Sequence, residues 1–337
     1  MRRAIVLANV SPMNDGDHVR FPMPQKGTFP SVYLEDTDTP LPPVVNPKTR
    51  YAYFQTIARG GKSLIKTCKD LHLSRVVVYK TLKPEFADDP NEQRRFLREA
   101  RVSAMLQHPN TMPTYEVGRD NRGHYYFTMK LVHGYTLREL LNYRELYDLT
   151  QLIEVLVQVA RALEYAHQHG VIHRDVKPEN VLVGPFGEVL LLDWGLAKVW
   201  NVEGVSAEPQ ATSSSEINVA ADAQTSITGQ QQLIGTAAYM SPEQIDRVPD
   251  IDGLTDVYSL GIILYEVLAG RLPHEATQVD ALLAEIREAV PKLPSELATS
   301  TIPTLLENLC MRCISKERAG RPDGAQEVIR VLLEDWR

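Results

Sequence analysis

The sequence predicts an α+β fold in which a strand-rich N-terminal part with one helix precedes a larger, mainly helical part. Short runs of β-branched and apolar residues between residues 51 and 83, above all Arg75–Lys80, have the composition of strands. The segment Asn91–Gln107 changes to helical spacing, and beyond Gly134 helical spacing dominates. Strands followed by helices in this order are typical of an α+β fold.

The first 49 residues differ in character from the rest of the chain. They contain eight prolines and no sustained apolar period, which predicts an extended, largely disordered leader. The arginines and apolar residues at the start resemble a secretion signal only in part, because the apolar stretch is short and no small-residue cleavage site follows. Ordered structure is expected from about Tyr51.

Several elements after Tyr51 can be placed individually. In Asn91–Gln107 one side of the helix carries Phe96, Leu97, Ala100 and Ala104. A second helix is expected over Leu149–His169, with Gly170 as its stop. Its apolar side consists of Leu152, Val155, Leu156, Val159 and Leu163. Strands are expected at Val181–Val183 and Val189–Leu192, and a further helix at Asp256–Ala269.

Residues 205–232 are rich in Ser, Thr, Ala and Gln and offer little to bury. Within a chain that is otherwise patterned for strands and helices, this composition predicts a long flexible loop. Loops of that length are usually functional or disordered.

Charge and cysteine content limit the classes of function. The formal net charge of −7 argues against nucleic acid as a partner, because nucleic-acid binding requires a basic surface. No apolar run approaches the roughly 20 residues of a membrane span. The three cysteines form no disulfide framework, and the single C-x-x-C of Cys310 and Cys313 lacks the second ligand pair of a zinc site. Core packing of both thiols and a reducing, cytoplasmic location are therefore predicted.

The segment His173–Asn180 carries three complementary chemistries. Phosphoryl transfer needs positioning and charge neutralisation more than covalent help from the protein. Asp175 has the carboxylate to hold an attacking hydroxyl, Lys177 the charge to offset a phosphate, and Asn180 an oxygen for Mg²⁺. Asp193 follows thirteen residues later, before a glycine, where a second metal-binding carboxylate would be suitably placed.

These motifs resemble those of the eukaryotic-type (Hanks-type) serine/threonine protein kinase family, over about residues 51–335. His173–Asn180 matches H-R-D-x-x-x-x-N, and Asp193-Trp194-Gly195 stands where the family has D-F-G. Gly235–Glu243 is similar to the end of the activation segment, with Ser241 in place of the alanine of A-P-E. Asp256–Gly261 and Arg321 resemble the start of the buried central helix and the arginine that pairs with Glu243. The run Asp193–Lys198 is most similar to bacterial members.

The resemblance implies a two-lobed protein kinase fold. Its small N-lobe, at 50–130, would hold an antiparallel sheet and the helix called αC in the family. Its larger, mainly helical C-lobe would span 134–337, so that the kinase domain covers 50–337 after the 1–49 leader. The activation segment would be 193–243, with a flexible insert at about 201–232.

The resemblance also implies roles for individual residues, with ATP and Mg²⁺ (or Mn²⁺) as cofactors. Asp175 and Lys177 would be catalytic, and Asn180 and Asp193 would hold the metal. Lys80 would anchor the ATP phosphates in an ion pair with Glu99. The remaining ATP-binding residues would be Ile57, Gly60, Ile65, Met129, Lys130, Val132 and Leu182. Met129 would guard the back of the adenine pocket and the backbone of Lys130 and Val132 would bind the adenine edge, while a structural core role is as well supported for Leu182.

Two departures from the family pattern stand out. The phosphate-binding loop should read G-x-G-x-x-G, but Ala58 and Ser63 replace the outer glycines and only Gly60 remains. An added Cβ there would hinder the approach of backbone amides to phosphates and weaken ATP binding. Trp194 replaces the phenylalanine of D-F-G, and its indole needs room and a partner for its N–H. Ser103, one turn beyond Glu99, is expected to supply part of that room.

Serine/threonine specificity is implied by Lys177 and by Thr236, which in the family bridges Asp175 and Lys177. Arg174, directly before Asp175, is a cation that a phosphate on the activation segment would satisfy, with Thr225 and Thr228 as candidate autophosphorylation sites. Protein substrates are expected, since small-molecule kinases of related fold generally lack the segment ending in Pro242-Glu243. A pseudokinase that acts as a binding or scaffolding module is the alternative, and a homodimer through the small lobe stays open.

Overall fold

The computed structural model describes residues 49–199 and 234–334, together with Phe21. These residues form two compact units, which we call the N-terminal and the C-terminal unit. The N-terminal unit contains the described residues up to Thr136 together with Leu182–Gly195, and the C-terminal unit contains Leu137–Val181 and the described residues from Leu196 onward. The lobe limits 50–130 and 134–337 stay a prediction.

The N-terminal unit is built on a five-stranded antiparallel sheet of order β1-β2-β3-β5-β4. The strands are β1 (Tyr51–Arg59), β2 (Ser63–Asp70), β3 (Arg75–Leu82), β4 (Thr114–Arg119) and β5 (Tyr125–Met129). A second, three-stranded sheet has the order β6-β8-β9, with β6 at Tyr135–Thr136, β8 at Val181–Val183 and β9 at Val189–Leu191. The strands predicted from β-branched composition are confirmed.

Helix α1 (Pro90–Met105) packs on this sheet. Asp89 caps it by accepting hydrogen bonds from the backbone N–H groups of Asn91 and Glu92, and Pro90 occupies a first-turn position where a missing N–H is harmless. Phe96 and Ala100 form a core cluster with Leu82 and Phe127. Ala104, which we expected on the buried side, is exposed. The buried stripe instead continues from Ala100 to Ser103, the i+3 neighbour on the same helix face.

The C-terminal unit is mainly helical. Its helices are α2 (Leu137–Leu141), α3 (Leu149–Gln168), α4 (Pro242–Ile245), α5 (Leu254–Ala269), α6 (Val279–Glu288), α7 (Pro294–Leu297), α8 (Thr304–Cys313) and α9 (Ala325–Glu334). Strands β7 (Val171–Ile172) and β10 (Lys198–Val199) pair with each other. The strand-rich and helix-rich units together confirm the α+β prediction.

Helix α3 ends as the sequence predicts. A capping box of Asp148 and Gln151 opens the helix, and Gly170 follows its end with a φ of 70°, a conformation that glycine adopts without strain. Its predicted apolar residues are all buried. The helix contacts the short strand Val171–Ile172, which directly precedes the segment His173–Asn180.

Helix α5 begins two residues before the predicted Asp256 and is buried over almost its whole length. Gly261 permits close packing of α5 on α8, because a Cβ at this position would lie only 2.4 Å from Cys313 Cβ. Cys310 and Cys313 are both free and fully buried, and burial raises the pKa of the Cys313 thiol to about 12. Core packing of the C-x-x-C cysteines is confirmed.

Two residues of the predicted leader, Phe21 and Thr49, are among the described residues. Phe21 is buried, and its backbone N–H donates a hydrogen bond to the Pro185 carbonyl at 3.1 Å. Phe21 thus contacts the N-terminal unit, and the disorder expected for the leader as a whole stays a prediction. Most of the leader and the insert at 201–232, with Thr225 and Thr228, lie outside the described residues. Among the described helices none has the length and apolar content to cross a bilayer.

Candidate active site

Lys80 and Glu99 form a buried ion pair within the N-terminal unit. Lys80 lies on β3 and Glu99 on α1, and the distance from Lys80 Nζ to Glu99 Oε1 is 2.5 Å. Burial acts to lower the pKa of Lys80, but the negative charges of Glu99 and Asp193 outweigh it, and the pKa is raised. The lysine is therefore held as a cation in a fixed position.

Asp193 lies two residues beyond the end of β9, near the ion pair of Lys80 and Glu99. Its φ of 63° is unusual for a residue other than glycine, and the Gly195 backbone N–H donates to its Oδ1 at 3.3 Å. A Cβ on Gly195 would lie 3.1 Å from this oxygen and 3.8 Å from Glu99 Oε2. Glycine at 195 thus leaves room for two carboxylates beside Lys80.

Trp194 is buried, with 1% of its surface exposed, as a large apolar side chain should be. The Ser103 hydroxyl donates to the Met112 carbonyl at 2.9 Å and accepts from Thr114 Oγ1 at 3.0 Å. That Ser103 provides part of the room for the Trp194 indole stays a prediction.

The turn that replaces the glycine-rich loop consists of Gly60, Gly61 and Lys62, between β1 and β2. The Gly60 N–H donates to the Ser63 carbonyl at 2.9 Å, and neither glycine has a positive φ. Ala58 is paired with Ile65, directly after a register shift between Thr56 and Ala58, and Ser63 is paired with Leu82. The hairpin itself therefore accommodates the Cβ atoms of Ala58 and Ser63.

The residues expected around adenine separate into two groups. Met129, Val132 and Leu182 belong to one apolar cluster, which also contains Met112, Leu190 and Leu192. Ile57 and Ile65 lie outside that cluster, half-buried on β1 and β2. The Lys130 backbone N–H donates to the Pro113 carbonyl at 3.0 Å. Of the two backbone groups of Lys130, the carbonyl is therefore the one that can accept a hydrogen bond from adenine.

Asp175, Lys177, Asn180 and Thr236 meet in the C-terminal unit. Lys177 Nζ lies 2.7 Å from both carboxylate oxygens of Asp175 and 3.2 Å from Thr236 Oγ1. Asn180 Nδ2 donates to Asp175 Oδ2 at 2.9 Å, so the amide oxygen is the atom of this side chain with the chemistry to bind a cation. The sequence placed these four residues together, and the structure brings them within hydrogen-bonding distance.

Asp256 holds the candidate catalytic segment, His173–Asn180, in place, a role that sequence reasoning missed. Its two oxygens accept the backbone N–H groups of His173 and Arg174 at 2.8 Å each, and His167 Nε2 lies 2.8 Å away. Burial acts to raise the pKa of Asp256, but the hydrogen bond and charge of His167 outweigh it and lower the pKa. A buried acid at the start of a core helix was the available signal. Gln244 adds a hydrogen bond from Nε2 to the Arg174 carbonyl at 2.8 Å.

The predicted partnership of Glu243 and Arg321 is present. Arg321 Nη1 and Nη2 lie 2.6 and 2.9 Å from the two carboxylate oxygens of Glu243, and the Thr255 hydroxyl donates to the same carboxylate at 2.8 Å. Both charged groups are buried. The bidentate pair anchors α4, which follows Thr236 in the chain.

A further cluster beside the catalytic segment carries no local sequence signal. Arg138 on α2 lies 2.8 Å from Glu179 Oε1 and forms an ion pair with Glu266 on α5. The Tyr239 hydroxyl donates to Glu266 Oε2 at 2.6 Å. These residues are up to 128 positions apart in the chain, so only the fold brings them together.

Known protein kinases are similar to this chain over most of its length. The protein kinase domain model matches residues 51–333. The chain is 34% identical over 285 residues to a probable serine/threonine-protein kinase of Clostridium acetobutylicum, covering 84% of this chain and 39% of that protein. It is 32% identical over 287 residues to PknB of Mycolicibacterium smegmatis (84% and 42%). It is 30% identical over 293 residues to PknD of Protochlamydia amoebophila (83% and 29%).

The chain thus spans less than half the length of these relatives. Proteins with this domain use ATP and a divalent metal ion. The match, together with the five-stranded antiparallel sheet and the helical C-terminal part, confirms the kinase fold predicted from the motifs. On this evidence the chain belongs to the protein kinase domain family.

Proposed function

We propose that this chain transfers the γ-phosphate of ATP to serine and threonine hydroxyls of protein substrates. The observation that carries the proposal is the arrangement of Asp175, Lys177 and Thr236, with Lys177 Nζ in contact with the other two side chains. The Asp175 carboxylate is placed to accept the proton of an incoming hydroxyl, and Lys177 offsets negative charge that develops at the phosphoryl group. The hydrogen bond to Thr236 holds the Lys177 ammonium beside the Asp175 carboxylate.

Further residues would supply the other groups that the reaction requires. Lys80, kept charged by Glu99, would bind the α- and β-phosphates. Asn180 and Asp193 offer an amide oxygen and a carboxylate, a donor set that suits a hard divalent cation. Mg²⁺ is our proposal, with Mn²⁺ as the alternative, because both prefer oxygen ligands. When bound, the ion would neutralise phosphate charge.

A pseudokinase is the competing interpretation, and the degenerate glycine loop was its main support. The hairpin accommodates Ala58 and Ser63 without a strained backbone. The charged groups at Lys80, Glu99 and Asp175 have partners that a scaffold would not need. Active phosphoryl transfer is therefore better supported than a binding module.

Phosphate transfer from labelled ATP to the chain itself and to a generic protein substrate tests the proposal. Wild-type protein with Mg²⁺ should label serine or threonine, and Asp175→Asn should lower the rate on the order of 10²-fold or more because the hydroxyl loses its acceptor. Equal transfer by wild type and Asp175→Asn would end the proposal.

We also propose that autophosphorylation at Thr225 or Thr228 activates the chain through Arg174. Arg174 has a φ of 69° and is held by backbone hydrogen bonds to Asp256 and Gln244. Its position in the chain, next to Asp175, is what supports a link between a phosphate and the catalytic carboxylate.

Two further proposals concern assembly and location. The N-terminal unit exposes large apolar side chains, among them Tyr53 at 81%, Phe54 at 48% and Leu73 at 57%, which supports a homodimer through this unit. Sedimentation of wild type against Tyr53→Ser tests it, and an unchanged monomer mass in both would contradict it. Three free cysteines support a cytoplasmic location.

A further inference from the structure

A set of polar contacts ties the turn between β1 and β2 to the rest of the N-terminal unit. Lys62, the last residue of the turn, places its Nζ 2.8 Å from Glu92 Oε1 in the first turn of α1. Lys83, just after β3, donates from Nζ to the Gly61 carbonyl at 2.5 Å and from its backbone N–H to the Lys62 carbonyl at 2.9 Å. The turn is therefore held by α1 and by the residue that follows β3.

The ion pair of Lys62 and Glu92 is more enclosed than an ordinary surface pair. The Glu92 side chain is only 10% exposed and that of Lys62 39%. Lys62 Nζ also lies 5.7 Å from the ring centroid of Phe86, a favourable position for a cation. Arg95 Nη1 is 3.5 Å from the same Glu92 oxygen. The carboxylate is thus fixed at the positive end of a helix and surrounded by cations.

Helix α1 also carries Glu99, the partner of Lys80. Glu92 and Glu99 are seven residues apart, about two helical turns, so they lie on the same side of α1. Glu99 pairs with Lys80 and Glu92 with Lys62. One helix therefore positions both Lys80 and the turn.

We propose that Lys62, Glu92 and Lys83 are positioning residues for the nucleotide phosphates, because they hold the β1–β2 turn in one conformation. This inference rests on the proposed function, since the turn matters to phosphates only if the chain binds ATP. The backbone N–H groups of such a turn can bind phosphate oxygens. A turn that is ordered beforehand loses less entropy when the phosphates bind. The contacts thereby offset the loss of the outer glycines at Ala58 and Ser63.

Calorimetric titration of the full chain with ATP and with adenosine tests the proposal. Lys62→Met and Glu92→Gln should each weaken ATP binding about 3- to 10-fold, and leave adenosine binding within about twofold. Lys62→Arg retains the cation and should keep the wild-type affinity. The Lys62→Met/Glu92→Gln double variant should bind ATP no more weakly than the weaker single variant, because both changes remove one shared interaction. Lys66→Met, on β2 away from the turn, is the matched control.

Hydrogen exchange without nucleotide gives a second readout that is independent of activity. Residues 58–65 should exchange faster in Lys62→Met and Glu92→Gln than in wild type and Lys66→Met, whereas β3 should be unchanged. Unchanged ATP affinity, or equal losses for ATP and adenosine, would overturn the proposal. The two proposals can fail separately. If the wild-type chain transfers no phosphate, but the variants bind ATP selectively more weakly than wild type, only the proposed function is disproved.

Discussion

Lys80 keeps its charge in a buried position because Glu99 and Asp193 lie close to it. Burial of an unpaired cation is unfavourable by several kcal/mol, so the pairing with Glu99 and the nearby charge of Asp193 are what allow this lysine to stay charged. A residue kept in that way is typical of a functional site. The same argument applies to Asp175, whose two oxygens are both in contact with Lys177 Nζ.

Lys80→Met and Asp193→Ala should each reduce phosphate transfer on the order of 10²-fold or more, because several kcal/mol of transition-state stabilisation are lost. Transfer assays over a range of ATP and Mg²⁺ concentrations measure the effect. Lys66→Met is the control and should transfer at the wild-type rate. Wild-type turnover in Lys80→Met would contradict the assigned role.

Glu243 and Arg321 form a buried pair in the C-terminal unit, away from the reacting groups. Burial acts to raise the pKa of Glu243, but the hydrogen bond and charge of Arg321 outweigh it and lower the pKa. Glu243→Gln leaves Arg321 buried without a counter-charge and should destabilise the fold by about 3–5 kcal/mol at pH 7.

The stability difference between wild type and Glu243→Gln should depend on pH with a definite sign. Since the folded pKa of Glu243 lies below its usual value, the contribution of the pair is complete above the unfolded pKa of roughly 4.3 and disappears as the pH falls through the folded pKa. Urea unfolding of wild type and Glu243→Gln at pH 7 and at progressively lower pH measures it. A stability difference that is constant with pH would show that the charge of Glu243 is not the cause.

At the scale of elements, the β1–β2 hairpin combines a degenerate glycine loop with an ordered turn. Ala58 and Ser63 lie in paired strand positions, where glycine is less stable than alanine by roughly 0.5–1 kcal/mol. The side chains of Ala58 and Ser63 therefore stabilise the hairpin relative to glycine. Glycine at the same positions would let the backbone amides come closer to the phosphates.

The Ala58→Gly, Ser63→Gly double variant should consequently bind ATP modestly more tightly and melt at a lower temperature than wild type. Titration with ATP and thermal unfolding without nucleotide separate the two effects. Val76→Gly, on the neighbouring strand, is the control and should lower the melting temperature alone. Unchanged or weaker ATP affinity in the double variant would mean that the two Cβ atoms do not hinder the phosphates.

At the scale of the whole molecule, the activation segment is where regulation is expected. Mass spectrometry of protein incubated with ATP and Mg²⁺ should find phosphate on Thr225, Thr228 or both, and none in the Asp175→Asn protein. Thr225→Ala, Thr228→Ala should lower activity on an added substrate, because Arg174 then lacks a phosphate partner.

The matched control for this prediction is Ser213→Ala, Ser214→Ala in the same insert, which should leave activity unchanged because serines there are expected only to keep the segment polar. Full activity in the threonine double variant would exclude the switch.

The sequence alone was enough to identify the family, and it also predicts the chemistry of the site. His173–Asn180 places carboxylate, ammonium and amide within a few residues of one another, and local spacing of this kind is visible without a fold. Strand and helix periodicity likewise predicted β3, α1 and α3, because their apolar residues repeat with the period of the element.

Only the tertiary structure decided how those groups are held. Asp256 binds the backbone of His173 across 83 residues, and Lys62 meets Glu92 across 30. The cluster of Arg138 joins residues from three further parts of the chain. No local pattern encodes such pairs, because a charged residue on a predicted helix or turn has the same signature whether it faces water or a partner. Burial and distance, which only the folded chain possesses, distinguish the two.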